Sequence, residues 1–160
     1  MIVAGIDPGS QRTGFGVVRV EGSKIVALHH RVIHLPKDDL CERLGRLYDA
    51  LSEALALHRP DRVVLESVFH QKNARSALVL GHARGVALLV AGRCGARVSD
   101  LSPSEVKRAV TGNGRADKHQ VQQMVKILLA LPSVPAADAA DALAVAVAGA
   151  TMGRAEARFS

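Results

Sequence analysis

Val63-Val64-Leu65 is an unbroken apolar run between a helix-stopping Pro60 and an acid, Glu66. A run this short and continuous fits a central strand covered on both faces, with no wet side. The segments around it supply the covering layers. Ile2–Ile6 is a short apolar run that ends at the turn sequence Asp7-Pro8-Gly9. Gly14–Val20 reads as a second strand on its β-branched Val17, Val18 and Val20. The turn Glu21-Gly22-Ser23 leads to a third strand over Lys24–Leu35, so the chain opens as an antiparallel meander. Helical spacing follows: Leu40, Leu44, Leu47, Leu51 and Leu55 share one face. After the Arg62–Glu66 strand, a long helix is expected from about Asn73 to Arg93 and a brief strand over Ala96–Ser99. Ser102-Pro103-Ser104-Glu105 is a helix start, with an N-cap, a first-turn proline and an early acid. Gly112-Asn113-Gly114 breaks that helix. Asp117 starts another, with Val121, Met124, Val125, Leu128 and Leu131 on one face, and Pro132 and Pro135 bracket a loop. The last helix is expected from about Ala137 to about Met152. This order of elements indicates an α/β fold with a mixed five-stranded sheet, an antiparallel meander plus parallel strands, flanked by helices. Residues 1–153 read as one compact domain and 154–160 as a flexible C-terminal tail.

Aromatic residues make up only 2% of the chain, so Ala, Val and Leu have to fill the core. Each of the few aromatics therefore calls for its own explanation. The 21 basic residues outnumber the 15 acidic ones, a net charge of +6 that points to a polyanionic partner. Cys41 and Cys94 stand too far apart for a ligand-spaced pair and read as reduced, partly buried thiols. No signal peptide is read at Met1–Gly5, and no uncharged apolar run is long enough to span a membrane. No membrane role and a cytoplasmic setting are the expectation.

Two of the apolar strands end on a carboxylate. Asp7 closes the first and Glu66 the fourth, where a charge is costly unless it is paired or used. If these strands are neighbours, the two acids meet at one sheet end. Asp138 and Asp141 lie three apart in the first turn of the last helix and so share a face. Each acid alone has an ordinary explanation: a turn for Asp7, a cap or an Arg partner for Glu66, the helix dipole for Asp138. Together they would repel one another unless a cation held them, and a set of oxygen ligands suits magnesium or manganese, not zinc. Two such ions about 3.5–4 Å apart would serve the attacking and leaving oxygens of a phosphodiester.

The motifs in their order resemble the RuvC family of Holliday-junction resolvases. Gly5-Ile6-Asp7-Pro8-Gly9-Ser10 with Thr13-Gly14-Phe15-Gly16-Val17 is similar to the family's opening. Glu66-Ser67-Val68-Phe69, Lys72-Asn73-Ala74 and Ser76-Ala77-Leu78 are similar to its second block, as are Gly81, Ala83-Arg84-Gly85 and Val106-Lys107. Asp117-Lys118 with Gln120-Val121-Gln122, and Ala137-Asp138-Ala139-Ala140-Asp141-Ala142-Leu143-Ala144, resemble the later blocks. The likeness runs from about residue 2 to about 148.

The resemblance implies an RNase H-like fold and paired symmetrical nicks across a four-way DNA junction by a homodimer. It implies two Mg2+ ions per site, with Mn2+ as a substitute, held by Asp7, Glu66, Asp138 and Asp141, Asp7 bridging both. It implies roles near the scissile phosphate for Lys107 and Lys118, and a wedge that stacks on an unpaired base for Phe69. Arg12, Lys72, Arg75, Arg84, Arg108 and Arg115 flank these motifs and are candidates for phosphate contact. Recombinational repair, with the branch-migration proteins RuvA and RuvB as partners, is the implied setting. Small residues at Ala77, Gly81, Gly85 and Ala87 permit a close helix contact for the dimer, and core packing explains them equally well. The seven histidines have no metal-ligand spacing and read as surface or packing residues. Asp7-Pro8-Gly9 with Gln11-Arg12-Thr13-Gly14 is also similar to YqgF-type RNases, which makes a nuclease on structured RNA the alternative. A third reading is a non-catalytic protein that recognises junction shape. An actin-like ATP-binding protein would need a second domain, for which 160 residues leave no room.

Overall fold

The structure is a computed structural model and describes residues 1–35, 39–67 and 73–159. Five strands and five helices follow in the order β1 (Ile2–Asp7), β2 (Arg12–Glu21), β3 (Lys24–His34), α1 (Leu40–His58), β4 (Arg62–Glu66), α2 (Ala74–Arg93), β5 (Arg97–Leu101), α3 (Pro103–Thr111), α4 (Lys118–Leu128) and α5 (Ala137–Phe159). The strands form one sheet in the order β3-β2-β1-β4-β5. The meander β1–β2–β3 is antiparallel, and β1, β4 and β5 run parallel. β4 is thus interior, as its unbroken apolar run requires.

Strand alternation sorts the side chains onto two faces. Ala4, Ile6, Phe15, Val17, Val63 and Leu65 point to one face and pack against Leu47, Leu51 and Leu55 of α1 and Ala83, Ala87 and Val90 of α2. Val3, Val18 and Val64 point to the other and pack against α3, α4 and α5 through Val106, Val110, Val121, Val125 and Leu143. α5 is buried on all sides from Ala142 to Ala150, because it lies between the sheet and α3–α4. Its run of alanines allows that: small side chains let both neighbours approach.

Glycines in the sheet carry the approach further. A Cβ on Gly5 would lie 2.2 Å from the Ala142 carbonyl oxygen, and one on Gly14 would lie 2.0 Å from that of Asp138. α5 therefore rests backbone-to-backbone on β1 and β2, with no side chain between. The caps follow the expected signals. Ser102 and Glu105 form a reciprocal capping box on α3, Gly112 ends that helix at φ 78°, and Asp117 caps α4 with Gln120.

Several boundaries and faces differ from expectation. β5 begins at Arg97 and runs to Leu101, later than Ala96–Ser99. α5 continues to Phe159, beyond Met152. α4 ends at Leu128, which is 41% exposed, and Leu129 takes the buried place. The chain leaves the helix there and reaches Ala130 at φ 49°, which turns the apolar stripe by one residue. Cys41 and Cys94 are both free and exposed, not partly buried, since each sits at a helix end away from the core. His29 and His58 are packing residues, with ring centroids 5.1 Å apart beside Phe15. By length and composition α2 alone among the described helices passes for a membrane span, with mean hydropathy 1.3. Its inner face is core, however, and Arg84 in its middle lies 2.7 Å from Asp100 on β5.

Candidate active site

The alternation that builds the core also places the acids. Gly5 and Val64 face α5, so Asp7 and Glu66, each two residues on, face α5 as well. β1 and β4 are paired in parallel with Ile6 opposite Leu65, which brings the two carboxylates to the same sheet end as adjacent residues. The first turn of α5 carries Asp138 and Asp141, and that turn sits over Gly14, the partner of Asp7 across β1–β2. One carboxylate oxygen from each of Asp7, Asp138 and Asp141 lies within 4.8 Å of the others. Glu66 joins them through a side-chain hydrogen bond with Asp7. Asp7, Asp138 and Asp141 thus converge, with Glu66 against Asp7.

Their electrostatics are strained. Burial, then the charges of Glu66, Asp141 and Asp138, push the Asp7 carboxyl from 3.8 up to about 8. Burial likewise raises Glu66, although the hydrogen bond from Asp7 and the charges of Lys118 and Lys107 pull it back in part. Near neutral pH the bare cluster therefore holds a proton, shared by the Asp7–Glu66 pair. A site that keeps a buried carboxyl protonated beside three other acids fits a cation that replaces the proton. The donor set is all oxygen, the chemistry of magnesium and manganese.

Basic residues rim the cluster. Lys118, the first residue of α4, donates from Nζ to Asp141 Oδ2 at 2.6 Å, and this bond raises its pKa, so it stays cationic. Lys107 of α3 lines a cavity of about 210 Å3 together with Glu66, Lys118 and Asp141. Arg12 Nε lies 3.5 Å from Asp138 Oδ2. Arg75, at the start of α2, shares with Asp7 a groove of about 650 Å3. Arg84 is engaged with Asp100 on β5. Arg108 and Arg115 are exposed on α3 and the α3–α4 loop. Phe69 and Lys72 lie outside the described residues.

Two features of the site were missed in the sequence. Arg43 of α1 lines the groove beside Asp7. Its place on the polar side of a leucine-spaced helix looks like ordinary solvated surface, and only the packing of α1 on the sheet brings it there. The glycine contacts that seat α5 were also not read. Gly5, Gly14 and Gly16 at every second or near-second strand position were a visible signal for a close backbone approach.

The family profile described as "Crossover junction endodeoxyribonuclease RuvC" matches residues 3–149. The chain is 49% identical over 146 residues to the crossover junction endodeoxyribonuclease RuvC of Halorhodospira halophila, covering 91% of this chain and 87% of that one. It is 47% identical over 148 residues to the protein of that name from Citrifermentans bemidjiense, covering 92% and 90%. Among solved structures, Thermus thermophilus RuvC superposes with a TM-score of 0.90 at 38% identity, covering 98% of this chain and 97% of that one. The same protein in complex with a Holliday junction substrate gives 0.89 at 36% identity, covering 97% and 96%. The yeast mitochondrial Holliday junction resolvase Ydc2 shares the fold at 16% identity, with a TM-score of 0.68. With profile, sequence and fold in agreement over nearly its whole length, the chain belongs to the RuvC family of crossover junction endodeoxyribonucleases.

Proposed function

We propose that this chain resolves Holliday junctions by hydrolysing one phosphodiester in each of two strands, as a divalent-metal-dependent homodimer. The convergence of Asp7, Asp138 and Asp141, with Glu66 hydrogen-bonded to Asp7 and Asp7 raised to about 8, carries the reading. These four would hold magnesium, with manganese as a substitute, and two ions suit the number of carboxylates. Bound magnesium supplies an activated water and neutralises charge at the phosphate. The junction-bound relative from T. thermophilus supports the substrate.

The chain's own residues do the rest. Asp7 and Glu66 stand on strand ends and Asp138 and Asp141 on a helix seated against those strands, so the ligand set is held by rigid elements. Lys118, held cationic by Asp141, and Lys107 beside Glu66 offer positive charge to the phosphate as it gains negative charge. Arg12, Arg75, Arg108 and Arg115 add salt-sensitive attraction for the backbone, as would Lys72, while Arg84 is the weakest of these candidates because Asp100 already holds it. Phe69 remains the candidate wedge at the junction.

Two symmetric nicks call for a two-fold enzyme. The outer face of α2 suits that contact: Leu78 and Leu89 are 63% and 53% exposed, Ala77 is exposed, and a Cβ on Gly81 or Gly85 would meet nothing. Ala87 drops out of this face because it is buried against the sheet. Recombinational repair in the cytoplasm, beside RuvA and RuvB, is the setting that this activity implies.

The test is an end-labelled four-way junction incubated with protein in magnesium or in EDTA, beside Asp7→Asn. Paired nicks that need both magnesium and Asp7 are expected. Cutting that persists in EDTA, or in the variant, would overturn the metal site; binding with no cutting under any divalent ion would leave only junction recognition.

A further inference from the structure

The groove of about 650 Å3 beside the acidic cluster has a lining that the four carboxylates do not explain. It lies between the turn after β1, the first turn of α1 and the first turns of α2, and its polar walls are Asp7, Ser10, Gln11, Arg43, Arg75 and Ser76. Two guanidiniums therefore meet there from two different helices. Among the described residues, neither has a carboxylate partner. The Nε of Arg43 is shut off from solvent and has no hydrogen-bond partner among the described residues. A dry, unpaired N–H of this kind costs on the order of 1–3 kcal/mol. Among the described residues Arg31, His58, His82 and Ser99 also carry such an atom, but of the five only Arg43 lines this groove. The first turn of α2 also carries no acid, so the positive end of that helix adds to the two arginines.

The lining narrows the ligand. Among the described residues the groove's polar lining outweighs the apolar, which is Pro8, Val79 and Leu80. Two planar cations with hydroxyl and amide donors around them suit a phosphate. We propose that the groove seats a phosphate of the DNA strand next to the scissile one, and that Arg43 is the residue that sets the strand's register over Asp7. This rests on the reading of the chain as a DNA nuclease.

The experiment compares wild type with Arg43→Met, which keeps the stem and removes the charge, and Arg43→Lys, which keeps the charge and removes the fork. Junction affinity is followed by anisotropy in EDTA over a series of salt concentrations, and cutting by single turnover in magnesium at saturating enzyme. In Arg43→Met the slope of log K against log salt should become shallower by about 0.7–0.9, the loss of one phosphate contact. Its cutting at saturation should slow by about tenfold to a hundredfold, since the strand is misplaced and not merely bound less often. Its melting temperature should not fall, because an unsatisfied buried donor has gone. Arg43→Lys should keep the wild-type slope and cut more slowly. A wild-type slope and wild-type cutting in Arg43→Met would overturn the proposal and reduce Arg43 to packing. Should Arg43→Met not fold, Arg43→Lys decides: slower cutting supports the role, and unchanged cutting overturns it. If wild type itself neither bound nor cut the junction, the reading as a junction nuclease would fall, and the role of Arg43 with it.

Discussion

At Asp7 burial and neighbouring acids act in the same direction, and the residue is held in its place at a cost to the fold. Its folded pKa of about 8 stands above the ordinary 3.8. Without an ion, therefore, the unfolded chain releases this proton first as pH rises. The ion-free protein should lose stability between about pH 4 and pH 8 and level off above that. Asp7→Asn removes the conflict and should stabilise the protein in EDTA at pH 8 by about 0.5–2 kcal/mol, the usual scale when a functional strain is relieved. Added magnesium should raise the melting temperature of wild type and leave the variant where it was. Thermal melts at pH 5 and pH 8, with and without magnesium, check all three statements. A variant that melts below wild type in EDTA at pH 8 would mean that Asp7 stabilises the bare fold.

At the scale of elements, the site depends on how α5 meets the sheet. Gly14→Ala would place a methyl about where the Asp138 carbonyl oxygen now lies, and backbone cannot rotate out of the way as a side chain can. The first turn of α5 would have to lift, carrying both aspartates from Asp7. Expected are a loss of about 1–3 kcal/mol in stability, as for other overpacked cores, and the loss of magnesium-dependent stabilisation and of cutting. A variant that still melts higher in magnesium would refute this account of the geometry. The same contact explains what could be read beforehand. The strand-end acids and the i, i+3 aspartates were legible because local periodicity reports which face a residue takes. So were the caps at Ser102, Gly112 and Asp117, whose partners lie within a few residues. That Asp7 meets Asp138 and Asp141 was not legible from spacing, because these residues lie more than a hundred positions apart. Family resemblance supplied what periodicity could not. Arg43 stayed hidden for the same reason: a polar position on a helix looks alike whether it faces water or a groove made by two other elements. The turn of the stripe from Leu128 to Leu129 depends on where α4 ends, which helical period alone does not state.

On the scale of the whole molecule, the sheet keeps its clustered acids on the α5 side and its other face for α1 and α2, with the outer side of α2 left apolar. Leu78→Arg on that face should give a monomer, read by light scattering at micromolar protein. Its fold should be intact, since Leu78 is 63% exposed and lies outside the core. Junction cutting should then lose its symmetry, with single nicks replacing paired ones on a supercoiled cruciform that reports both. A dimeric variant with paired nicks would move the two-fold axis elsewhere. The seating of α5 on bare glycine has a mechanical side. Side chains hop between rotamers and cushion most contacts inside a protein, but none stands between Gly14 and Asp138 or between Gly5 and Ala142. The spacing of the carboxylates therefore inherits the stiffness of two hydrogen-bonded backbones, and the jitter of the surrounding core is filtered out before it reaches the place where an ion would sit.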